Sequence, residues 1–141
     1  MTKKYIAPTQ EAGAQFFSKP INGEVIMLNL LKFKDIADYS AHQELDDGNE
    51  ITGRAAYQRY IDQTLPLLKE KGGDIIFSGE GSSYLIGPTD ETWDLVLLIK
   101  QQSLSSLVEM VNDTRYQSIL GHRDAALEDS RLLPLIENDA T

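Results

Sequence analysis

Two hydrophobic periods alternate along the chain, one typical of strands and one typical of helices. Four apolar segments predict strands. They cover residues 24–34, 74–87, 92–100 and 131–137. The first and third segments are the most apolar. Gly79 and Gly81 weaken the second, and Pro134 cannot donate a backbone hydrogen bond in the fourth, so we expect a bulge or an edge in the second strand and an edge position for the fourth.

Apolar residues three or four apart predict the helices. The longest is expected from about Arg54 to Lys71, with Pro66 kinking it. Its inward stripe comprises Tyr57, Tyr60, Ile61, Thr64, Leu65 and Leu68. We expect Ser103 to cap a second helix, Asp113 to cap a third, and a short extra helix to run from about Thr9 to Ser18. The helix after Ser103 is expected to face inward with Leu104, Leu107, Val108 and Val111.

The predicted element order is βαββαβ after the extra N-terminal helix. In the usual ferredoxin-like arrangement, this order gives a four-stranded antiparallel sheet with the first and third strands in the centre. We therefore expect a single α+β domain, with residues 1–22 as an N-terminal helical extension and 24–137 as the ferredoxin-like core. The polar segment 35–52 is an inserted loop, which we interpret as a mobile excursion or lid.

Both faces of the two central strands are apolar. On the first strand, one face carries Val25, Met27, Asn29, Leu31 and Phe33, and the other carries Ile26, Leu28 and Leu30. A sheet with one face in water would alternate apolar and polar residues, and the helices of a βαββαβ chain cover only one face. We expect the sheet of a second copy to cover the other face about a two-fold axis, forming a homodimer. Coverage by the N-terminal helix and the inserted loop is the alternative.

Charge and composition restrict the possible partners. The 141 residues carry a net charge of −9 and include no cysteine. The negative charge argues against nucleic acid and membrane surfaces, and the lack of cysteine excludes disulfides and thiolate zinc sites. No apolar stretch follows the lysines of the first ten residues, so we expect a cytoplasmic protein without a secretory signal. No cofactor motif is present, and His42 with its acidic neighbours matches no metal-ligand spacing, so we expect neither a cofactor nor a metal.

One charge in residues 115–133, "RYQSILGHRDAALEDSRLL", lies on a face that should be buried. At 100° per residue, the apolar face carries Tyr116, Ile119, Leu120 and Leu127, and the opposite face carries Ser118, Gly121, Ala125 and Asp129. Arg123 falls near the middle of the apolar face. Burying an unpaired guanidinium is costly, so Arg123 must reach a carboxylate, a ligand anion or water. The partners expected for a salt bridge are Asp113, Glu109 and Glu128.

The same region resembles a known family. "YQSILGHRDAALEDSRLL", with "YQRYIDQTLPLLKEKGG", "VIMLNLLKFK" and "WDLVLLIK", is similar to the bacterial domain-of-unknown-function family numbered thirteen-thirty, in the dimeric α/β-barrel superfamily. The likeness covers roughly residues 24–137, and the inserted loop departs from it. The resemblance implies the ferredoxin-like fold and the dimer. Better-understood relatives are cofactor-free monooxygenases, isomerases, dehydratases and haem-degrading enzymes, with pockets between each sheet and its own helices.

Five residues join Arg123 as site candidates. Asn29 is the only polar residue on its strand face, so it bonds either to nearby backbone or to a ligand. The resemblance implies that Asn29 and Trp93 line a cavity, because the cofactor-free monooxygenases use an Asn and a Trp in this way. Tyr57 and Tyr60 are either core residues or donors to a substrate oxygen. His122, at the edge of the stripe, is either solvated or an imidazole base.

These candidates predict a small-molecule-binding protein. Our favoured hypothesis is a cofactor-independent enzyme, monooxygenase-like or isomerase-like, acting on a small anionic or enolisable molecule. Arg123 would hold the negative oxygen, Asn29 would donate a hydrogen bond, and Tyr60 or His122 would transfer a proton. A non-catalytic ligand-binding or sensor module is the first alternative. The second is a structural dimer whose interior is filled by side chains, which predicts no enclosed void beside Arg123.

Overall fold

The computed structural model describes residues 3–138, and the predicted helices and strands are all present. In chain order they are α1 (Gln10–Phe17), β1 (Val25–Phe33), α2 (Gly53–Glu70), β2 (Asp74–Glu80), β3 (Leu95–Gln101), α3 (Leu104–Asn112), α4 (Thr114–Ala126) and β4 (Leu127–Leu135). A short 3₁₀ turn, Gln43–Leu45, lies within the inserted loop. None of the helices in the described part of the chain is long and apolar enough to cross a membrane.

The four strands form one antiparallel sheet in the order β2-β3-β1-β4. β1 lies between β3 and β4, so the prediction of a ferredoxin-like α+β fold with the first and third strands central is confirmed. The prediction of edge positions for the glycine-bearing and proline-bearing strands is confirmed as well. The irregularity in β2 lies between Ile75 and Phe77 rather than at its glycines, because the pairing with β3 shifts register there.

Local capping chemistry explains where the helices begin. Thr9, Thr52, Ser103 and Asp113 each accept a hydrogen bond from a backbone N–H in the first turn. The predicted inward stripe of α3 needs a correction, since Val108 and Val111 are more than a third exposed while Leu107 and Met110 are buried. α3 is turned so that the side chains of Leu107 and Met110, three residues apart, point into the core.

The two faces of the sheet have different cover. Along β1, burial alternates, and Val25, Met27 and Leu31 join the core with residues of α2 and α4. On the outer face the intervening residues are only partly buried, and Phe77 and Leu133 are more than half exposed. Phe16 of α1 packs against the inner core, and the inserted loop packs on α4. The sequence-based alternative, in which these two segments roof the outer face, is therefore wrong for the described residues.

The inserted loop is packed against the domain rather than projecting from it. Ala37 N–H donates to the Ile51 carbonyl at 2.9 Å, and Asp38 N–H donates to the Ala125 carbonyl at 2.9 Å. Tyr39 is buried. These contacts make the segment a cover over one side of α4.

This cover corrects the expected polar face of α4. Gly121 and Ala125, placed opposite the apolar stripe by the helical plot, are buried. A Cβ added at Gly121 would lie 2.7 Å from His42 Cγ and 2.8 Å from Leu45 Cδ1. The missing side chain at residue 121 thus allows the loop to contact the helix directly. α4 is buried on two sides, so a simple amphipathic pattern does not describe it.

Candidate functional site

Arg123 projects from α4 and is partly buried. Its Nη1 donates to the Ile6 carbonyl at 2.5 Å. The other four arginines of the chain each lie within 4.0 Å of a carboxylate, in the pairs Arg54–Glu80, Arg59–Asp47, Arg115–Asp113 and Arg131–Asp129. Arg123 forms no such pair with any acid among residues 3–138, and Asp113 and Glu128 are instead paired with Arg115 and Lys4. The expected salt bridge at Arg123 is therefore not formed.

Tyr57 of α2 is close enough to Arg123 for the guanidinium charge to act on its phenol. Burial raises the pKa of Tyr57 to about 12, and the positive charge of Arg123 opposes part of that rise. At neutral pH the Tyr57 phenol is therefore protonated and available to donate a hydrogen bond. A guanidinium and a phenol side by side form a pair of donors suited to a negative oxygen.

Two more tyrosines extend this site into the core. The Tyr60 and Tyr116 hydroxyls are 2.7 Å apart, and burial raises the pKa of Tyr60 well above its ordinary value. The rings of Phe33, Tyr57, Tyr60 and Tyr116 follow one another with centroid separations of 5.4, 5.3 and 6.1 Å. This row keeps the hydroxyls in fixed positions between α2 and α4. Tyr116 was not among the predicted site residues, although its place on the same helical stripe as Arg123 was a usable signal.

Asn29 is buried on the inner face of β1. Its Nδ2 donates to the Met27 carbonyl at 3.2 Å, so the structural alternative, a bond to neighbouring backbone, is present. A contact between Asn29 and a ligand stays a prediction.

His122 does not share the Arg123 site. Its Nδ1 lies 2.7 Å from the Tyr39 hydroxyl, and its ring meets that of Tyr39 edge-on. Burial lowers the pKa of His122, and the nearby charge of Arg59 lowers it further. The ring is therefore neutral at pH 7 and faces the inserted loop. The expectation of a solvated His122 is wrong, because the loop covers it, and Tyr39 carried no sequence signal for this contact.

Trp93 also lies away from Asn29. Its Nε1 donates to the Tyr84 hydroxyl at 2.6 Å, and its ring lies 5.1 Å from the Arg131 guanidinium. In the β1–β4 register, Arg131 is opposite Leu30 on the outer face of the sheet, whereas Asn29 belongs to the inner face. The structure therefore does not bring Asn29 and Trp93 into one cavity.

Two surface clefts lie outside the Arg123 site. One of about 220 Å³ is lined by the inserted loop, including Tyr39, Asp46 and Glu50. The other, of about 140 Å³, is lined by Lys4, Lys32, Asp90, Glu91, Thr92, Glu128 and Asp129. Neither borders Arg123, so neither cleft supplies the enclosed void whose absence was expected for a structural dimer with a filled interior. Within residues 3–138, no three His, Asp or Glu side chains are grouped so as to hold a metal ion.

Comparisons with known proteins place the chain in a family. The model of DUF1330, a domain of unknown function, matches residues 48–136, which is more than half of the chain. The chain belongs to the DUF1330 family. The resemblance inferred from the sequence is thereby confirmed, and the match includes Tyr57, Tyr60 and Arg123 but not the first part of the inserted loop.

Two crystal structures of a relative, RPA0582, share the whole fold. The methylated RPA0582 protein is 37% identical to this chain, covers 98% of both chains and superimposes with a TM-score of 0.86. RPA0582 of Rhodopseudomonas palustris, described as a protein of unknown function, is 36% identical, with 98% of this chain and 100% of that chain covered and a TM-score of 0.86. No curated protein matches this chain in sequence. Membership of DUF1330 therefore supports the fold but indicates no function, so the function has to be inferred from the residues of the site.

Proposed function

We propose that this DUF1330 protein binds a small organic anion, with the negative group held by Arg123 and Tyr57. One observation carries the proposal. Arg123 is partly buried, adjoins a protonated phenol, and alone among the arginines lacks a carboxylate partner within the described residues. Such a guanidinium favours a negatively charged ligand.

The charge balance of the chain strengthens this proposal. Acidic residues outnumber basic residues by 22 to 13, so a carboxylate partner for Arg123 was readily available. The guanidinium has five N–H donors in a planar fork, and the Ile6 carbonyl accepts from Nη1. A carboxylate accepts from two neighbouring donors of this fork, and Tyr57 can supply a further hydrogen bond. We infer a small carboxylate, or an anion of similar shape, as the ligand.

The donors at this site favour ligand binding over base catalysis. Arg123 carries only donors, the raised pKa values keep Tyr57 and Tyr60 protonated, and the imidazole of His122 is engaged by Tyr39. A ligand-binding or sensor role is therefore the first choice. A cofactor-independent enzyme is the second candidate, favoured by the hydrogen-bonded Tyr60–Tyr116 pair. That pair would act as a proton donor toward an enolate oxygen held by Arg123.

The binding proposal is tested by titrating small mono- and dicarboxylates into the protein, with calorimetry as the readout. Arg123→Gln should weaken binding of the best ligand by about tenfold or more, because a hydrogen bond between charged groups is lost. Arg54→Gln is the matched control, since Arg54 is exposed and paired with Glu80, and it should bind normally. Unchanged affinity in Arg123→Gln, or no binding of any carboxylate by the wild type, would contradict the proposal.

We further propose that the functional unit is a homodimer built through the outer sheet face. Phe77 is 52% exposed and Leu133 56% exposed on that face, and partly buried leucines lie between them. Leu85 and Ile86, at the loop between β2 and β3, are 100% and 91% exposed. An apolar area of this extent is unusual on a monomer and favours burial against a second copy.

Sedimentation velocity at micromolar concentration tests the dimer. Phe77→Glu should convert dimer to monomer, because two carboxylates would be buried in a symmetric interface. Val108→Glu is the control, as Val108 is an exposed apolar residue on α3, the helix whose Leu107 and Met110 pack in the inner core. It should remain dimeric. A monomeric wild type would overturn this part of the proposal.

A further inference from the structure

Residues 3–6, here called the N-terminal strap, lie along the beginning of β4. Both backbone groups of Tyr5 are bonded to β4. Tyr5 N–H donates to Asp129 Oδ1 at 2.8 Å, and Ser130 Oγ donates to the Tyr5 carbonyl at 2.6 Å. This double attachment fixes both the position and the direction of the chain immediately before Ile6.

Side chains of β4 add to this attachment. The Arg131 guanidinium lies 5.0 Å from the centre of the Tyr5 ring and donates to the Lys3 carbonyl at 3.3 Å. Lys4 forms an ion pair with Glu128. Each of the strap's first three residues is therefore held by a different contact to β4. The strap takes up a defined path across residues 128–131.

The path of the strap brings one atom to the candidate site. The Ile6 carbonyl accepts from Arg123 Nη1 at 2.5 Å, and the Ile6 side chain packs against the core. A carbonyl oxygen at this distance occupies the position that one oxygen of a bound carboxylate would take. Because both backbone groups of Tyr5 are bonded to β4, the chain holds the Ile6 carbonyl in a fixed position next to Arg123.

We infer that the N-terminal strap is a gate over the Arg123 site, and that its Ile6 carbonyl must leave Arg123 before an anion makes a full two-pronged contact. This inference rests on the proposed anion binding. A carboxylate carries the full negative charge that a carbonyl lacks, so it competes effectively for the guanidinium. The contacts of Tyr5 oppose that exchange. Weakening them should make Arg123 easier to reach.

The gate is tested first without any ligand, using phenylglyoxal, a reagent that modifies accessible arginines. In the full-length Ser130→Ala and Tyr5→Ala variants, the modification rate of Arg123, followed by peptide mass spectrometry, should rise about threefold or more, because one anchoring interaction is lost. Arg59, on the other side of α4 next to Tyr39, should react at the wild-type rate. Ile76→Ala, which changes an exposed residue of β2 at the opposite edge of the sheet from β4, is the control variant. Unchanged reactivity of Arg123 in both strap variants would overturn the gate.

Carboxylate titration then separates the gate from the binding proposal. Both strap variants should bind the best wild-type carboxylate about threefold more tightly or better, by the same loss of one competing interaction. Equal affinity in wild type and variants would overturn the gate while leaving anion binding intact. If no carboxylate binds any of the proteins, the proposed function fails, and the phenylglyoxal rates still decide whether the strap shields Arg123. Tyr5 is 40% exposed, so its replacement by alanine should leave the fold intact.

Discussion

His122 and Arg123 are neighbours on α4, but they lie on different sides of the helix and differ in whether the fold gives them a polar partner that fully satisfies them. On one side, His122 is covered by the inserted loop and bonded to Tyr39, and His42 of the loop bonds Asp124 at 3.1 Å. On the other side, Arg123 is covered by the strap through a single carbonyl, with no counter-charge among the described residues. A polar pair that is fully matched offers nothing to a ligand. We propose that an unmatched cation under a replaceable cover does, so that the loop side stabilises the fold and ligand exchange takes place on the strap side.

The loop side should give the largest loss of stability when its contact with α4 is blocked. Gly121→Leu places atoms where His42 and Leu45 now lie, and overpacking of this kind costs about 3 kcal/mol in the free energy of unfolding. Urea denaturation measures the loss. Gly13→Ala in α1 is the matched control, because a Cβ there meets nothing within 4 Å, and the higher helix propensity of alanine should leave stability equal or slightly improved. Equal stability of the two variants would show that the loop does not dock on α4.

A smaller loss is expected when the polar pair itself is broken. Tyr39→Phe keeps the ring but leaves the buried Nδ1 of His122 without its partner, which costs about 2 kcal/mol in the free energy of unfolding. Tyr84→Phe is the control, since the Tyr84 hydroxyl is near the surface and water can replace its role. We expect a change within about 0.5 kcal/mol there. Denaturation curves for both variants, compared with wild type, check the difference between a buried and an exposed phenol.

The smallest expected effect is a dependence of the unfolding free energy on pH that arises from His122 on the loop side and not from Arg123 on the strap side. Burial and the charge of Arg59 lower the pKa of His122 in the folded protein, so between that value and about 6.5 the unfolded chain binds more protons. The contribution of the neutral ring is complete above about pH 6.5 and is lost as pH falls through the lowered pKa. The unfolding free energy of wild type minus that of His122→Gln should therefore decrease from pH 7.5 to pH 5. Arg123→Gln should follow the wild-type slope, since arginine stays charged throughout. Parallel curves for all three proteins would contradict the assignment of a buried, neutral His122.

Elements governed by neighbours in sequence were predictable. Thr9, Ser103 and Asp113 cap their helices because a short polar side chain reaches a backbone N–H two or three residues on, and nothing distant is required. β1 and β3 were predictable as the central strands because they are the most apolar segments of the chain, with apolar residues on both faces. Arg123 was recognised as unusual from its place on the helix, and its lack of a salt bridge became visible only when the acids were located in space.

The order of apolar and polar residues along this chain was enough for the strands, the caps and the anomaly at Arg123, because each depends on spacing of a few residues. Two segments from far along the chain return to α4. Residues 35–52 give the neutral ring of His122 its partner Tyr39, and residues 3–6 give Arg123 only the Ile6 carbonyl as a cover. Such contacts arise from the shape of the folded surface, as the fit of His42 against Gly121 shows. Residue type and local period contain no information about them.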